Sequence, residues 1–260
     1  MMRSLWIAKT GMEAQQTQLD HISHNLANVS THGYKRSHAQ FEDLIYQNLR
    51  QSGAPETEQT NLPTGLQVGL GVRPVATSRT YTQGALQQSD NPLDIAITGD
   101  GFFQIQRPDG STAYTRDGAF KVDATGQIVT NNGETLLPGL TVPPGAKQIS
   151  IGADGTVSIT TAANPTPQTL GQIQLASFIN PNGLNPQGQN LYLETASSGA
   201  PQVGAPGSNA LGSIKQGFVE ASNVNVVEEL VSMIATQHAY ELNSKAIQTS
   251  DQILQKLSQM

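Results

Sequence analysis

The sequence predicts an α+β protein: the two ends of the chain form a discontinuous helical domain of paired coiled-coil helices, and the middle forms an inserted antiparallel β-domain. Three observations carry that expectation. Proline and nearly all glycine are confined to the middle, apolar residues recur every seven positions at both ends, and tight-turn dipeptides recur at hairpin frequency between them.

The breakers come first. All 14 prolines lie between Pro55 and Pro206, and of the 25 glycines only Gly11 and Gly33 fall outside Gly53–Gly217. Long helices are therefore permitted at the ends, whereas the middle is interrupted too often for anything but short strands and turns. At the N-terminus Leu5, Met12, Leu19 and Leu26 form one seven-residue line, and Ala8, Gln15, Ile22 and Val29 form the offset line of an a/d seam. With Ser4 as N-cap and Gly33 as stop, about 24 helical residues would span ~36 Å. Such a helix cannot bury its stripe alone. At the C-terminus Asn225 with Glu228 reads as a capping box opening a helix of about 30 residues, on which Val226, Met233, Tyr240, Ile247 and Leu254 repeat every seven. Polar Gln15, Gln237 and Ser244 interrupt these seams, which favours a specified register over maximal stability.

Between the helices, Asp109-Gly110, Asp117-Gly118, Asn132-Gly133, Asp154-Gly155 and Asn182-Gly183 supply turn signals. The flanking stretches 101–106, 119–122, 127–130, 148–151 and 156–159 read as short strands. The stretch Tyr46–Pro63, with Gly53, Pro55, Pro63 and clustered Gln, Thr and Glu, is a poor helix or strand and reads as a linker in which Tyr46 and Leu49 could act as apolar anchors. The expected organisation is thus 1–45 for the first helix and its exit, 46–73 for a linker or rigidifying segment, 74–216 for the β-domain and 217–260 for the last helix.

Composition narrows the function. Fourteen Lys and Arg against 20 Asp and Glu give a formal charge of −6, so no cationic field draws in phosphate backbones and no nucleic-acid partner is expected. With no cysteine there is no disulfide, thiol nucleophile or iron–sulfur cluster. Met1, Met2 and Arg3 lead into only four apolar residues before Lys9, which is no signal-peptide core, and no apolar run approaches the ~20 residues of a membrane span. His21 and His24 beside Asp20 offer too few ligands for a metal, and His32, His38 and His238 are isolated. Asp100, Asp109, Asp117 and Asp123 crowd one region, yet the first three precede glycine and so have a turn role, and the calcium-loop pattern D-x-[DN]-x-[DN]-G is missing. Gly69–Gly71 is a lone GxG without a following helix, and no nucleophile-elbow, P-loop or HExxH motif occurs. No enzyme activity and no cofactor are expected.

The segments GMEAQQTQLDHISHNLANVSTHGYKR (11–36) and EASNVNVVEELVSMIATQHAYELNSKAIQTSDQILQKL (220–257) resemble the bacterial flagellar axial proteins of the rod and hook. GDGFFQI (99–105) and AYTRDGAFKVDATGQIVTNNGETLLP (113–138) extend the resemblance over essentially the whole chain. Its length and YQNLRQSGAPETEQTNLP (46–63) are most like the distal rod branch of that family. The resemblance implies a subunit exported unfolded without a cleaved signal peptide and polymerised in the periplasm into a rigid helical tube that transmits torque. Implied partners are further copies of itself, other rod proteins, the hook protein, the P- and L-ring proteins, the rod cap and the export apparatus. It also implies export features at Asn25, Leu26, Ala27 and Asn28 and at Phe41, Leu44 and Ile45. The alternatives are a proximal rod or hook protein of the same family, or a secreted adhesin whose β-domain would carry an aromatic-lined pocket.

Overall fold

The computed structural model describes residues 2–51, 55–57, 60–61, 64–161, 166–208 and 211–258. Contacts divide the chain into two compact units, one of residues 1–27, 37–78 and 225–260 and the other of 28–36 and 79–224. The division departs from the expected boundaries at 45/46 and 73/74. Residues 28–36 belong with the β-rich unit, and a stretch read as helix exit and linker belongs with the helices.

In the first unit, α1 (Met2–Ala27) and α2 (Val226–Ser258) pack along each other. Helix α1 begins before Ser4 and ends at Ala27 instead of running on to Gly33, because Asn28 turns the chain there: Thr31 N–H donates to the Asn28 carbonyl at 3.2 Å. Asn225 acts as the N-cap of α2, its Oδ1 accepting from Val227 N–H at 3.1 Å and not from Glu228 N–H as a capping box would have it, and Glu228 and Glu229 place negative charge at the positive end of the helix dipole. Gly11 lies so close to Asn243 that an added Cβ would come within 3.0 Å of its amide, while Asn25 Nδ2 donates to Glu229 Oε2 at 3.4 Å. A later position on α1 thus meets an earlier one on α2, so the helices run antiparallel.

The face that α2 turns toward α1 differs from the expected seam. Glu229 and Thr236 are buried and Asn243 is half-buried against Gly11, giving a polar seven-residue line, whereas Val226 and Tyr240 are exposed and Met233 and Ile247 half-buried. Correspondingly, Gln237 faces solvent and the polar residues at the helix contact lie one position earlier than Gln237 and Ser244. On α1 the buried residues are Ala8, Thr10, Ala14, Ile22 and Asn25, while Leu5, Met12, Leu19 and Leu26 are half-buried. Periodicity locates a stripe but not the partner that covers it.

Three strand pairs lie in the described part of this unit, the shortest joining Pro55–Thr57 to Thr60–Asn61. Ser37–Asp43 pairs with Val72–Arg79, and Tyr46–Arg50 pairs with Leu66–Gly69 in the register Tyr46↔Gly69 and Gln47↔Val68. The expected linker is therefore a β-hairpin at its base, closed by Leu44 N–H donating to the Gly71 carbonyl at 2.8 Å. The Gly, Pro and polar composition of 46–63 hides the pairing with Leu66–Gly69, which sets Val68 against Gln47 and Leu66 against Arg50. Pro55 lies in a short strand (Pro55–Thr57), whereas Gly53 and Pro63 lie outside the described residues.

The second unit is built on the strand Phe102–Gln106. One edge pairs with Thr112–Thr115; on the other edge Phe102 and Phe103 pair with Leu175–Ser177, and Ile105 and Gln106 with Thr135–Leu136, all antiparallel. Alternation sends Phe103 and Ile105 to one face, into a core with Ile95, Ile97, Phe120 and Leu136. Phe102 goes to the opposite face, where it meets Tyr81, Phe178 and Tyr192 edge-to-face. A three-stranded sheet, Ala146–Ile151, Thr156–Thr161 and Gln168–Gln172, packs Ile151 and Val157 into the first core. The expected turns at Asp109 and Asp154 form, each carboxylate accepting a backbone N–H two residues on, and Asp123 makes the same turn although no glycine directly follows it to signal one. Gly118 is different: it serves no positive-φ turn, but a Cβ there would lie 1.6 Å from the Ile95 carbonyl oxygen.

Candidate assembly surface

Helix α2 carries an apolar face that no described residue of its own unit covers. Val227, Leu230, Val231 and Ile234, spaced to fall on one side of the first two turns, are 69%, 42%, 61% and 55% exposed. Leu242 and Ile253 continue exposed apolar surface along the helix, and Trp6 and Ile7 do so on α1. Isolated exposed apolar residues are ordinary, but a stripe at helical spacing costs about 1 kcal/mol per half-exposed Val, Leu or Ile if left in water. The hairpin adds Ile45, Tyr46, Leu49 and Leu66, all exposed, and every residue of Tyr46–Arg50 faces solvent. Such a ladder, with no core beneath it, presents open edges.

The residues expected at the seam thus separate into two sets. Ile22 is buried and Leu5, Met12, Leu19, Leu26, Met233 and Ile247 are half-buried; Val226 and Tyr240 are exposed. Leu254 lies in α2, its side chain outside the described residues. Among the export-like residues, Asn25 acts structurally, because its Nδ2 donates to the Ser37 carbonyl at 2.8 Å while its Oδ1 accepts from Ser37 N–H at 3.0 Å, a two-bond clamp on the strand following the turn. Leu26, Asn28 and Leu44 are half-buried, whereas Ala27, Phe41 and Ile45 face solvent. His21 Nδ1 lies 3.4 Å from Ser37 Oγ.

Sequence reasoning missed a buried charge cluster in the second unit. Lys35, Arg116 and Glu220 are all almost fully buried. Lys35 Nζ donates to Glu220 Oε1 at 2.6 Å and to the Thr82 carbonyl at 2.8 Å, Gly84 N–H donates to the same Oε1 at 2.9 Å, and Arg116 Nε stands 3.3 Å from Glu220 Oε2. Arg116 further donates to the carbonyls of Gly101 and Gly99 at 2.7 and 2.8 Å. Burial, with Arg116 alongside, pushes the Lys35 ammonium below its ordinary range against the pull of Glu220. Gly33 N–H donates to the Glu220 carbonyl at 2.8 Å, and Asn223 bridges Arg36 N–H to the Thr80 carbonyl at 2.7 Å each. The segment 28–36 is held by this cluster. No periodicity marks it, since Lys35 and Arg36 read as ordinary solvated charges after a turn.

Beside the cluster lies a cavity of about 340 Å³ lined by Tyr81, Phe102 and Phe178 with Asp100, Arg116 and Ser177. This is the kind of aromatic pocket that the adhesin alternative requires. Among the described residues no three His, Cys, Asp or Glu stand together as a metal site, and no helix is long and apolar enough to cross a membrane.

Comparison with known proteins decides between these readings. The chain matches the family "Flagella basal body rod protein" over residues 5–35, "Flagellar hook protein FlgE/F/G D1 domain" over 96–159 and "Flagellar basal body rod FlgEFG protein C-terminal" over 215–260. It is 55% identical over 260 residues to the flagellar basal-body rod protein FlgG of Buchnera aphidicola, covering 100% of both chains. To FlgG of Borreliella burgdorferi it is 49% identical over 98% of this chain and 97% of that one, and to FlgG of Bacillus subtilis 41% identical over 99% and 98%. The flanking matches lie on α1 and α2 and the central one on the β-unit, so the similarity spans both units. The chain belongs to the flagellar rod and hook protein family, on its FlgG basal-body rod branch, and is a structural protein of the flagellum, not an enzyme.

Proposed function

We propose that the chain is the self-assembling subunit of the distal rod, a rigid helical tube crossing the periplasm and passing torque from motor to hook. The observation that carries the assembly reading is the uncovered stripe Val227, Leu230, Val231 and Ile234 on α2, a face a neighbouring copy would bury. In this reading Leu5, Met12, Leu19, Ile22 and Leu26 of α1 and Val226, Met233, Tyr240, Ile247 and Leu254 of α2 complete the inter-helix contacts of the tube. The organisation is a helical part made by both ends, a β-domain in the middle and a rigidifying element at 46–73. Tyr46, Leu49, Gly53, Pro55 and Pro63 belong to that element, lodged between subunits to block axial sliding. Asn25–Asn28 and the Phe41–Ile45 cluster serve export, which proceeds without a cleaved signal peptide. Partners are further copies of the chain, other rod proteins, the hook protein, the P- and L-rings, the rod cap and the export apparatus.

The test uses Val231→Asp and Ile234→Asp in the full chain. Both side chains are largely exposed, so monomer stability should change by no more than about 0.5 kcal/mol, whereas a carboxylate buried at a subunit contact costs several-fold more. Filaments should be lost from electron micrographs and cells carrying either variant should be non-motile. Normal rods from both variants would remove the stripe from the interface and the proposal with it.

A further inference from the structure

The sequence holds two Asn-Gly pairs, Asn132-Gly133 and Asn182-Gly183, and the fold treats them in opposite ways. Asn-Gly is a turn signal, but it is also a dipeptide in which a side-chain amide lies next to an unhindered backbone nitrogen, because glycine carries no Cβ to shield it.

Asn182 is held. Its Oδ1 accepts from Arg79 N–H at 3.1 Å, and Gly183 N–H donates to the Asn180 carbonyl at 3.1 Å within the 3₁₀ turn Pro181–Gly183. The Gly183 carbonyl accepts from Thr195 Oγ1 at 2.6 Å, and a Cβ on Gly183 would lie 2.6 Å from the backbone of Ser197 and Ser198. The Asn182 amide carbon cannot swing toward the Gly183 nitrogen without opening these contacts.

Asn132 lies at the tip of the hairpin that joins Ile128–Val129 to Thr135–Leu136. Asn131, Asn132 and Gly133 are all exposed, no described residue bonds the Asn132 amide, and nothing lies within 4 Å of where a Gly133 Cβ would sit. The Gly133 nitrogen is restrained by its N–H bond to the Thr130 carbonyl at 3.0 Å, and in a solvent-exposed turn such a bond opens readily.

We propose that Asn132 is a self-modification site, converted without an enzyme to aspartate and isoaspartate while Asn182 in the same folded chain is spared. The Gly133 nitrogen, its proton taken by hydroxide, attacks Asn132 Cγ. The N–Cγ bond forms, the Cγ–Nδ2 bond breaks, and the amide nitrogen takes a proton from water and leaves as ammonia. Water then opens the cyclic imide at either carbonyl, giving aspartate or an isoaspartate whose backbone runs through the former side chain. Either product adds one negative charge to a chain already at −6. The isoaspartate also lengthens the turn by a methylene, which disturbs the Thr130 N–H bond to the Glu134 carbonyl at 2.8 Å and the Glu134 N–H bond to Thr130 Oγ1 at 3.2 Å. These bonds support the register Val129↔Thr135 beside the core residues Ile128 and Leu136.

Peptide mapping tests this on the full-length protein, incubated folded in mildly alkaline buffer, sampled over time and digested for mass spectrometry with fragmentation that distinguishes isoaspartate from aspartate. Asn132 should convert about tenfold faster than Asn182 or more, because ring closure at Asn182 must first open a further hydrogen bond and a packed loop. In concentrated denaturant the two rates should converge, since both sites then share the same Asn-Gly chemistry. The aged wild type should melt roughly 2 to 10 °C lower, whereas Asn132→Gln, whose longer side chain closes a ring far more slowly, should keep its melting temperature through the same incubation. No conversion at Asn132, equal conversion at the two sites in the folded chain, a gap that persists in denaturant, or an equal loss of melting temperature in Asn132→Gln would overturn the proposal.

Discussion

Replacing Glu220 should damage the β-rich unit more than replacing the lysine bonded to it, although both side chains are equally buried. In the native cluster one carboxylate faces two cations, Lys35 at 2.6 Å and Arg116 at 3.3 Å. Glu220→Gln removes the anion that both cations contact and leaves two buried positive charges facing each other, a loss of about 3 to 5 kcal/mol. Lys35→Met instead leaves Arg116 and Glu220 as a neutral pair still supported by Gly84 N–H, and forfeits mainly the charged hydrogen bonds to Glu220 and the Thr82 carbonyl, about 1.5 to 3 kcal/mol. For a unit of this size the larger loss lowers the melting temperature by roughly 6 to 20 °C. Differential scanning calorimetry of the full chain reads both shifts, and because the two residues share one network the double variant should fall short of the sum. A Lys35→Met shift equal to or larger than that of Glu220→Gln would refute the charge accounting.

Further outcomes follow from other contacts. Gly33→Ala places a Cβ within 2.6 Å of the Arg116 backbone at a φ of +67°, so denaturant titration should show a loss of about 1 to 3 kcal/mol. Excising residues 46–69 and closing the chain with an Asn-Gly turn keeps the Leu44–Gly71 bond that ends the hairpin. The subunit should still fold and assemble, but electron microscopy should show tubes that bend; straight tubes would assign stiffness to other contacts. Burial, and then the neighbouring Glu194, raise the Tyr114 hydroxyl to about 12. The unfolded chain therefore loses this proton first, near pH 10, so the stabilisation present below pH 10 is lost as pH rises toward 12. Tyr114→Phe should flatten that part of the stability curve, measured by calorimetry across alkaline pH.

The helices, the strand Phe102–Gln106 and most of the Asp-Gly turns were legible because each rests on local rules: breaker placement, alternation, and side chains that bond their own backbone two residues on. What stayed hidden depends on distant partners. Glu229, Thr236 and Asn243 form the face that meets α1, yet polar residues at seven-residue spacing read as a solvated side. Lys35 and Glu220 are 185 positions apart, and only the fold makes either of them a buried charge. The hairpin at Tyr46–Gly69 was obscured for a related reason: every residue of Tyr46–Arg50 faces solvent and only Val68 and Gly69 of the partner strand are half-buried, so no clear hydrophobic alternation announces it. The proposed assembly surface is half visible in the sequence: the heptad lines run along α1 and α2, while the most exposed apolar stripe, at Val227–Ile234, runs beside the line through Val226 and Met233.

The most direct test of the central claim is an electron cryomicroscopy reconstruction of rods assembled from the full chain. The account predicts a straight helical tube in which Val227, Leu230, Val231 and Ile234 of each subunit are covered by side chains of adjacent copies. A tube in which that stripe remains in contact with solvent would contradict it, as would a chain that stays monomeric at every concentration and leaves no rod in the cell.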